Sequence, residues 1–223
     1  AQSKLGICYE FGKGVTQSYS EAVKWYQKAA EQGNAEAQAN LGVCYQNGNG
    51  VTQSYSKAVE LYRKSADQGN PIGQNNLGLC YDNGLGVEQS YKEAVKWYRK
   101  AAEQGTARSQ YLLAICYLKG EGVEQSDSKG EEWLMKAANH GLADAQYAHG
   151  CMYQSYGDYE SAIGRFTQAA LQGQKDAIKQ VNTWVRLLAE QGNPTAQSAM
   201  GSFCKQNGEM EEAIQWFTLA SQQ

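Results

Sequence analysis

Apolar and small residues recur along this chain with the period of an amphipathic helix. Within residues 35–70, Ala37, Leu41 and Cys44 follow one another at intervals of four and three, which places them on one stripe of a helix. A second stripe, further along the same segment, consists of Ala58, Leu61, Tyr62, Ser65 and Ala66. Two such stripes separated by a glycine-rich segment predict a helical hairpin.

This hairpin is one unit of a repeat with a period of 36 residues. The period is carried by Cys8, Cys44, Cys80 and Cys116, and by the glycine pairs Gly12/Gly14, Gly48/Gly50, Gly84/Gly86 and Gly120/Gly122. Each glycine pair is expected to end the first helix of its unit through a turn with positive φ. Because no single hairpin can bury its own apolar stripe, successive units are expected to stack. The sequence therefore predicts an all-α superhelix of helical hairpins.

The repeat sets the expected division of the chain. Four units cover residues 1–34, 35–70, 71–106 and 107–142, the first of them with a truncated first helix. Residues 143–174 read as a shorter hairpin with a tight turn, 175–193 as a single helix, and 194–223 as a last hairpin. An odd helix inserted among hairpins is expected to change the curvature of the stack near residue 175.

Small and large residues alternate where the helices are expected to meet. Gly42 and its equivalents leave room for a neighbouring backbone, and the large residues expected to fill the gap are Trp25, Leu61, Trp97 and Trp133. Burying each of these contributes roughly 1.5–3 kcal/mol. Lysines and glutamates on the other side of the second helices are expected to form a solvated outer face.

The repeated pattern resembles that of the Sel-1-like repeat family, whose members are α-solenoids related to tetratricopeptide repeats. The resemblance rests on A-x-A-Q-x-x-L-G-x-x-Y-x-x-G-x-G-V, followed by K/E-A-V-x-W/L-Y-x-K-A/S-A-x-Q-G. It is close over residues 1–106 and looser over 107–142. It implies a right-handed solenoid that acts as a scaffold for protein–protein interaction.

Composition and charge argue against several other classes of function. The net charge of −3 and the absence of a clustered basic face argue against nucleic-acid binding. No run of about 18 apolar residues exists, so membrane insertion is not expected. The compartment stays open, because unpaired cysteines favour the cytoplasm while the resemblance permits a periplasmic or secreted protein.

The repeated cysteines and glycines are interpreted as framework rather than as chemistry. Equivalent helices of a solenoid lie roughly 8–10 Å apart, whereas a disulfide needs Cα atoms within ~7 Å and zinc needs four converging ligands. The glycine pairs lack the third glycine of a dinucleotide-binding loop and follow a helix instead of a strand. The two histidines, His140 and His149, are interpreted as a cap residue and a core-edge residue. No cofactor, metal or catalytic residue is predicted, and the chain is not expected to be an enzyme.

Binding is instead expected in the concave groove, on first-helix positions that the packing does not use. The candidate residues are Asn40, Asn75, Asn76, Leu79, Asp82, Arg108, Tyr111, Ile115, Leu118 and Tyr147. Aromatic anchors surrounded by Asn and Arg are typical of surfaces that bind a peptide or protein. For the aliphatic members, contact between neighbouring first helices is an equally good interpretation.

Two alternatives to a groove-binding adaptor stay open at this point. The uncapped N-terminal end suggests self-association into a structural solenoid. The chain also fits an accessory fragment of a larger cell-envelope or host-interaction protein.

Overall fold

The computed structural model describes residues 1–222, and all regular structure in that range is helical. The helices are α1 (Gln2–Phe11), α2 (Tyr19–Glu31), α3 (Ala35–Asn47), α4 (Tyr55–Asp67), α5 (Pro71–Asn83), α6 (Tyr91–Glu103), α7 (Ala107–Lys119), α8 (Asp127–Asn139), α9 (Ala143–Tyr156), α10 (Tyr159–Leu171), α11 (Lys175–Gln180), α12 (Arg186–Glu190), α13 (Pro194–Asn207) and α14 (Met210–Ser221). A π-helical turn, Val181–Val185, joins α11 to α12. Within residues 1–222 no helix combines the length and the apolar character that crossing a bilayer requires.

The chain divides into two compact units, Ala1–Gly130 and a second that begins at Glu131, so the division falls within α8. In the N-terminal unit, α1–α2, α3–α4 and α5–α6 are antiparallel hairpins, and the second helix of each packs against the first helix of the next. In the C-terminal unit, α9–α10 and α13–α14 are hairpins, and the α11–α12 segment packs against α10 and α13. This confirms the predicted all-α fold of consecutive helical hairpins. The expected change of curvature near residue 175 stays a prediction.

Side-chain caps fix where the helices begin. The Ser54 hydroxyl accepts a hydrogen bond from the backbone N–H of Lys57 at the start of α4. Asn34 accepts one from the backbone N–H of Ala37 at the start of α3. Such caps satisfy backbone donors that the first turn of a helix leaves unpaired. The same serine and asparagine caps recur at the start of α2, α5 and α6, so the repeat in sequence reproduces the helix boundaries.

The glycine pair of each unit has two separate tasks. Gly48 caps α3 with φ 75°, in the left-handed region that glycine adopts without strain. Gly50 also has positive φ, and a Cβ atom there would lie 2.5 Å from the carbonyl carbon and oxygen of Tyr19 in the preceding unit. The same contact joins Gly86 to Tyr55. The second glycine therefore lets each turn rest on the backbone of the unit before it.

Tyrosine fills the space opposite the first-helix glycine, which corrects the expectation that Trp25, Leu61, Trp97 and Trp133 fill it. A Cβ added to Gly42 would lie 2.6 Å from the ring of Tyr62, whose side chain is fully buried. Because successive residues of a helix point about 100° apart, Leu61 is turned toward the groove between successive second helices. Trp97 is 7% exposed at the equivalent position, whereas Trp25 in the first unit is half-buried, with Lys28 Nζ 4.5 Å from its ring centre.

Candidate protein-binding surface

The first helices of the N-terminal unit carry a stripe that points away from their second helices. Its half-buried members lie at intervals of 36 residues, and we call them the inner stripe: Ile7, Asn40, Val43, Asn76, Leu79, Leu112 and Ile115. The residues one turn further out at both ends, such as Glu36 and Asn47 in α3, are exposed. Half-burial fits both earlier interpretations of the aliphatic members, because neighbouring first helices cover one side and leave the other open.

The amides of the inner stripe differ in how they are bonded. The side chain of Asn40 makes no hydrogen bond to any residue in the range 1–222. Asn76 accepts a hydrogen bond from Asn75 Nδ2 at 3.2 Å through its Oδ1 atom. An amide carries two donors and an acceptor with two lone pairs, so both side chains keep capacity for a ligand.

Three of the predicted groove residues are engaged in contacts within the stack. Asn75 Oδ1 accepts a hydrogen bond from the buried Ser109 hydroxyl at 2.9 Å. Asp82 accepts one from the buried Tyr98 hydroxyl at 3.1 Å.

The third is Leu118. Gly130 is buried directly beneath its side chain, since a Cβ at Gly130 would lie 2.6 Å from Leu118 Cδ2. Leu118, Asp82 and Asn75 therefore contribute to packing between helices, and their availability to a ligand is reduced accordingly.

The remaining predicted residues belong to both units. In the N-terminal unit, Arg108 is exposed and Tyr111 is half-buried on α7, beside Ile115. In the C-terminal unit, Tyr147 packs on Phe166 with ring centres 5.7 Å apart, and its pKa is raised chiefly by burial. Tyr147 thus has a packing role within its own unit.

The repeated cysteines occupy the core. Cys44, Cys80 and Cys116 are at most 3% exposed, and burial raises the pKa of their thiols to about 12, 11 and 12. Thiols with such pKa values stay protonated at neutral pH and are weak nucleophiles and metal ligands. This agrees with the prediction that the cysteine is a small buried hydrophobe.

One group of potential metal ligands comes together among the described residues. The ligand atoms of Cys204, Glu209 and Glu212 lie within 4.8 Å of one another. Arg186 already donates to Glu212 at 2.8 Å, and Trp216 Nε1 donates to the same carboxylate at 3.1 Å. Burial raises the pKa of the Cys204 thiol to about 11. The carboxylate is therefore neutralised by arginine, and the group fits a metal ion poorly.

Buried glutamines form a feature that sequence reasoning missed. Gln74 is 4% exposed, and its Nε2 donates to the carbonyl of Ala66 near the end of α4. Its own Oε1 accepts a hydrogen bond from Gln104 Nε2 at 2.7 Å. Gln38 and Gln68 repeat the arrangement one unit earlier. The sequence does contain a signal for this pair. In the second and third units, one glutamine stands at the Q position of the A-x-A-Q motif and another in the Q-G motif, and the two are 30 positions apart.

The matches to a known protein family have the same boundaries as the repeat units of the sequence. The family model for the Sel1 repeat matches residues 1–34, 35–70, 71–106, 107–142 and 194–223. The chain belongs to the Sel1 repeat family. Proteins built from Sel1 repeats are generally non-catalytic scaffolds that bind other proteins.

Two solved structures of Sel1 repeat proteins resemble the whole chain. A protective antigen of uropathogenic Escherichia coli is 33% identical with a TM-score of 0.70, covering 99% of this chain and 52% of its own. A Sel1 repeat protein from Oxalobacter formigenes is 29% identical with a TM-score of 0.71, covering 99% and 86%.

Among curated proteins, DAP3-binding cell death enhancer 1 of Rattus norvegicus is 62% identical over 34 residues, which are 15% of this chain and 7% of the rat protein. The chain thus spans about half of the E. coli chain and a small part of the rat protein.

Proposed function

We propose that this chain is a non-enzymatic scaffold that binds a peptide segment of a protein partner along the inner stripe of its N-terminal unit. The observation that supports this most strongly is the continuity of the stripe. Ile7, Val43, Leu79 and Ile115 form one row of half-buried aliphatic side chains across four consecutive first helices. A row of this kind offers apolar contact over the length of a peptide.

The polar residues beside the row suit a peptide backbone. Asn40 keeps its whole hydrogen-bonding capacity, and Asn76 keeps part of it. Asparagine both donates to a carbonyl and accepts from an N–H group, so the two amides match the groups that a bound main chain presents. Arg108 adds a positive charge at the α7 end, where it favours an acidic residue of the ligand.

The chemistry of the other polar residues is consistent with binding without catalysis. Asp82 is hydrogen-bonded to Tyr98, and burial raises the pKa of the Cys44, Cys80 and Cys116 thiols well above neutral pH. General acid–base or nucleophilic catalysis needs an accessible group whose pKa lies near the working pH. The inner stripe consists of amides and aliphatic side chains, which supply contact rather than proton transfer.

A peptide selection followed by mapping tests the proposal. Short peptides displayed on phage are selected on the full chain, and the strongest binder is titrated into ¹⁵N-labelled protein. We expect chemical-shift changes at backbone amides of α3, α5 and α7, around Asn40, Leu79 and Ile115. Changes confined to the second helices, or no selected binder, would contradict binding on the inner stripe.

A further inference from the structure

A cleft of about 400 Å³ opens on the opposite side of the N-terminal unit, between α2 and α4 and above α3. We call it the outer cleft. Its lining includes Gln27 and Glu31 from α2, Leu41 and Tyr45 from α3, and Lys57, Glu60, Leu61 and Lys64 from α4. Leu41 is 4% exposed and forms part of the floor. The outer cleft shares no residue with the inner stripe.

Two departures from the repeat account for the cleft. The first is Leu61, which stands where the first, third and fourth units have Trp25, Trp97 and Trp133. In the next groove along, between α4 and α6, Trp97 packs into the core cluster that contains Leu77 and is 7% exposed. Leucine is smaller than tryptophan, so the corresponding space beside Leu61 is left open.

The second departure is Gln27, which stands where the second and third units have Arg63 and Arg99. Arg63 donates to the hydroxyl of Tyr81 at 2.8 Å, across the groove between α4 and α6. Tyr45 is the equivalent of Tyr81, and its hydroxyl makes no hydrogen bond within the described part of the chain. The outer cleft therefore combines an open space beside Leu41 and Leu61 with the hydroxyl group of Tyr45, within a rim of polar side chains.

The neighbouring groove also indicates what fits the cleft. Lys100 Nζ lies 4.3 Å from the ring centre of Trp97, a cation–π contact. The equivalent lysine of the cleft is Lys64, which here pairs with Glu60 at 2.6 Å. Both of these side chains are more than half exposed, so the pair is weak and Lys64 can move onto an incoming ring at little cost.

We propose that the outer cleft binds an aromatic side chain of a protein partner, which takes the place that tryptophan occupies in the adjacent unit. The ring packs between Leu61 and Tyr45 with Lys64 over its face. Aromatic anchors seated in small pockets supply much of the binding energy of protein interfaces. This site would be a second one on the scaffold, distinct from the inner stripe.

The test uses a variant that fills the cleft with the residue types found in the groove between α4 and α6, where Trp97 and Arg63 stand. Short peptides displayed on phage are selected on the full chain. The binding of each selected peptide to the wild type is then compared with its binding to the filled variant, Leu61→Trp/Gln27→Arg. We expect a class of peptides that share a Trp, Tyr or Phe residue and bind the filled variant at least about tenfold more weakly. Circular dichroism verifies folding, and Leu61→Trp alone gives the same readout where the double variant is not folded.

A reciprocal variant and an association measurement complete the design. Trp97→Leu/Arg63→Gln should open a second cleft and bind the same peptides with twice the stoichiometry, as measured by calorimetry. A selection in which no peptide both carries an aromatic residue and binds the filled variant more weakly would overturn the proposal; peptides of the inner stripe are recognised by equal binding to both. Self-association of the wild type that disappears in Leu61→Trp, seen by analytical ultracentrifugation, would assign the cleft to a second copy and overturn it too.

Discussion

The contact between Gly50 and the backbone of Tyr19 gives the sharpest test of how the repeats are held together. A methyl group at position 50 would lie 2.5 Å from the Tyr19 carbonyl carbon and oxygen and 2.8 Å from the Ser20 nitrogen. These backbone atoms belong to the first turn of α2 and cannot rotate away as a side chain would. The Gly50→Ala variant must therefore push the two units apart or distort the turn.

The magnitude has two parts. Gly50 has φ 72°, and a non-glycine residue in the left-handed region costs about 1–2 kcal/mol. The clash adds an overpacking cost of typically about 1–3 kcal/mol. Gly14 occupies the same position one unit earlier with φ 75°, but a Cβ there would have nothing within 4 Å. Gly14→Ala is thus a matched control that carries the first cost without the second.

Native-state hydrogen exchange is the suitable assay, because arrays of repeats open locally rather than all at once. We expect the amides of α2 and α4 to lose about 1–3 kcal/mol more of their opening free energy in Gly50→Ala than in Gly14→Ala. Equal losses in the two variants would mean that φ strain alone explains both and that the contact with Tyr19 adds no cost.

Three further predictions concern stability. Gly164 is exposed within α10, and a Cβ atom there would have no neighbour within 4 Å. Gly164→Ala should therefore stabilise the chain by about 0.5–1 kcal/mol, as measured by thermal unfolding. Destabilisation would contradict this. Burial, aided by the charge of Arg165, lowers the pKa of His149 to about 4, so its contribution to stability is complete above pH 6.5 and is lost as the pH falls toward 4. In His149→Leu, the free energy of unfolding measured in urea should depend less on pH between 6.5 and 4. A pH profile like that of the wild type would contradict this. Gln74→Ala should cost about 0.5–1.5 kcal/mol in urea because it removes the hydrogen bonds of a buried amide to the carbonyl of Ala66 and to Gln104 Nε2, whereas a loss near zero would mean that water replaces the amide.

The period of the sequence predicted the hairpins well for a physical reason. Helix boundaries depend on local signals, and Ser54, Asn34 and Gly48 each act within one turn of the chain. The neighbour that packs against each helix follows from the order of the repeats. Local signals and repeat order together fix most of the fold.

Sequence reasoning was weaker where adjacent residues compete for one space. Leu61 and Tyr62 are both large, and the pattern alone did not decide which of them lies against Gly42. The same uncertainty affected the groove, because a carboxylate such as Asp82 can face solvent or satisfy a buried hydroxyl. Spacing offered an unused signal: Asp82 and Tyr98 are 16 residues apart, as are Gln46 and Tyr62, which are also hydrogen-bonded.

The outer cleft was missed for a different reason. Leu61 and Gln27 each look like an ordinary substitution within the repeat. Their joint effect appears only when α2 and α4 are seen side by side, because the two residues lie 34 positions apart and line one groove. Departures from a repeat are therefore best examined as pairs that the stacking brings together.

Peptide binding on the inner stripe can be measured through the dissociation constant of a selected peptide. Asn40→Arg/Asn76→Arg places two long cations on the stripe, and Thr16→Arg/Thr52→Arg places the same charges on exposed turn residues as a matched control. Calorimetry with a peptide that maps to α3 and α5 should give at least about tenfold weaker binding to the first variant and unchanged binding to the control. Equal affinity for the wild type and both variants would contradict peptide binding on the inner stripe.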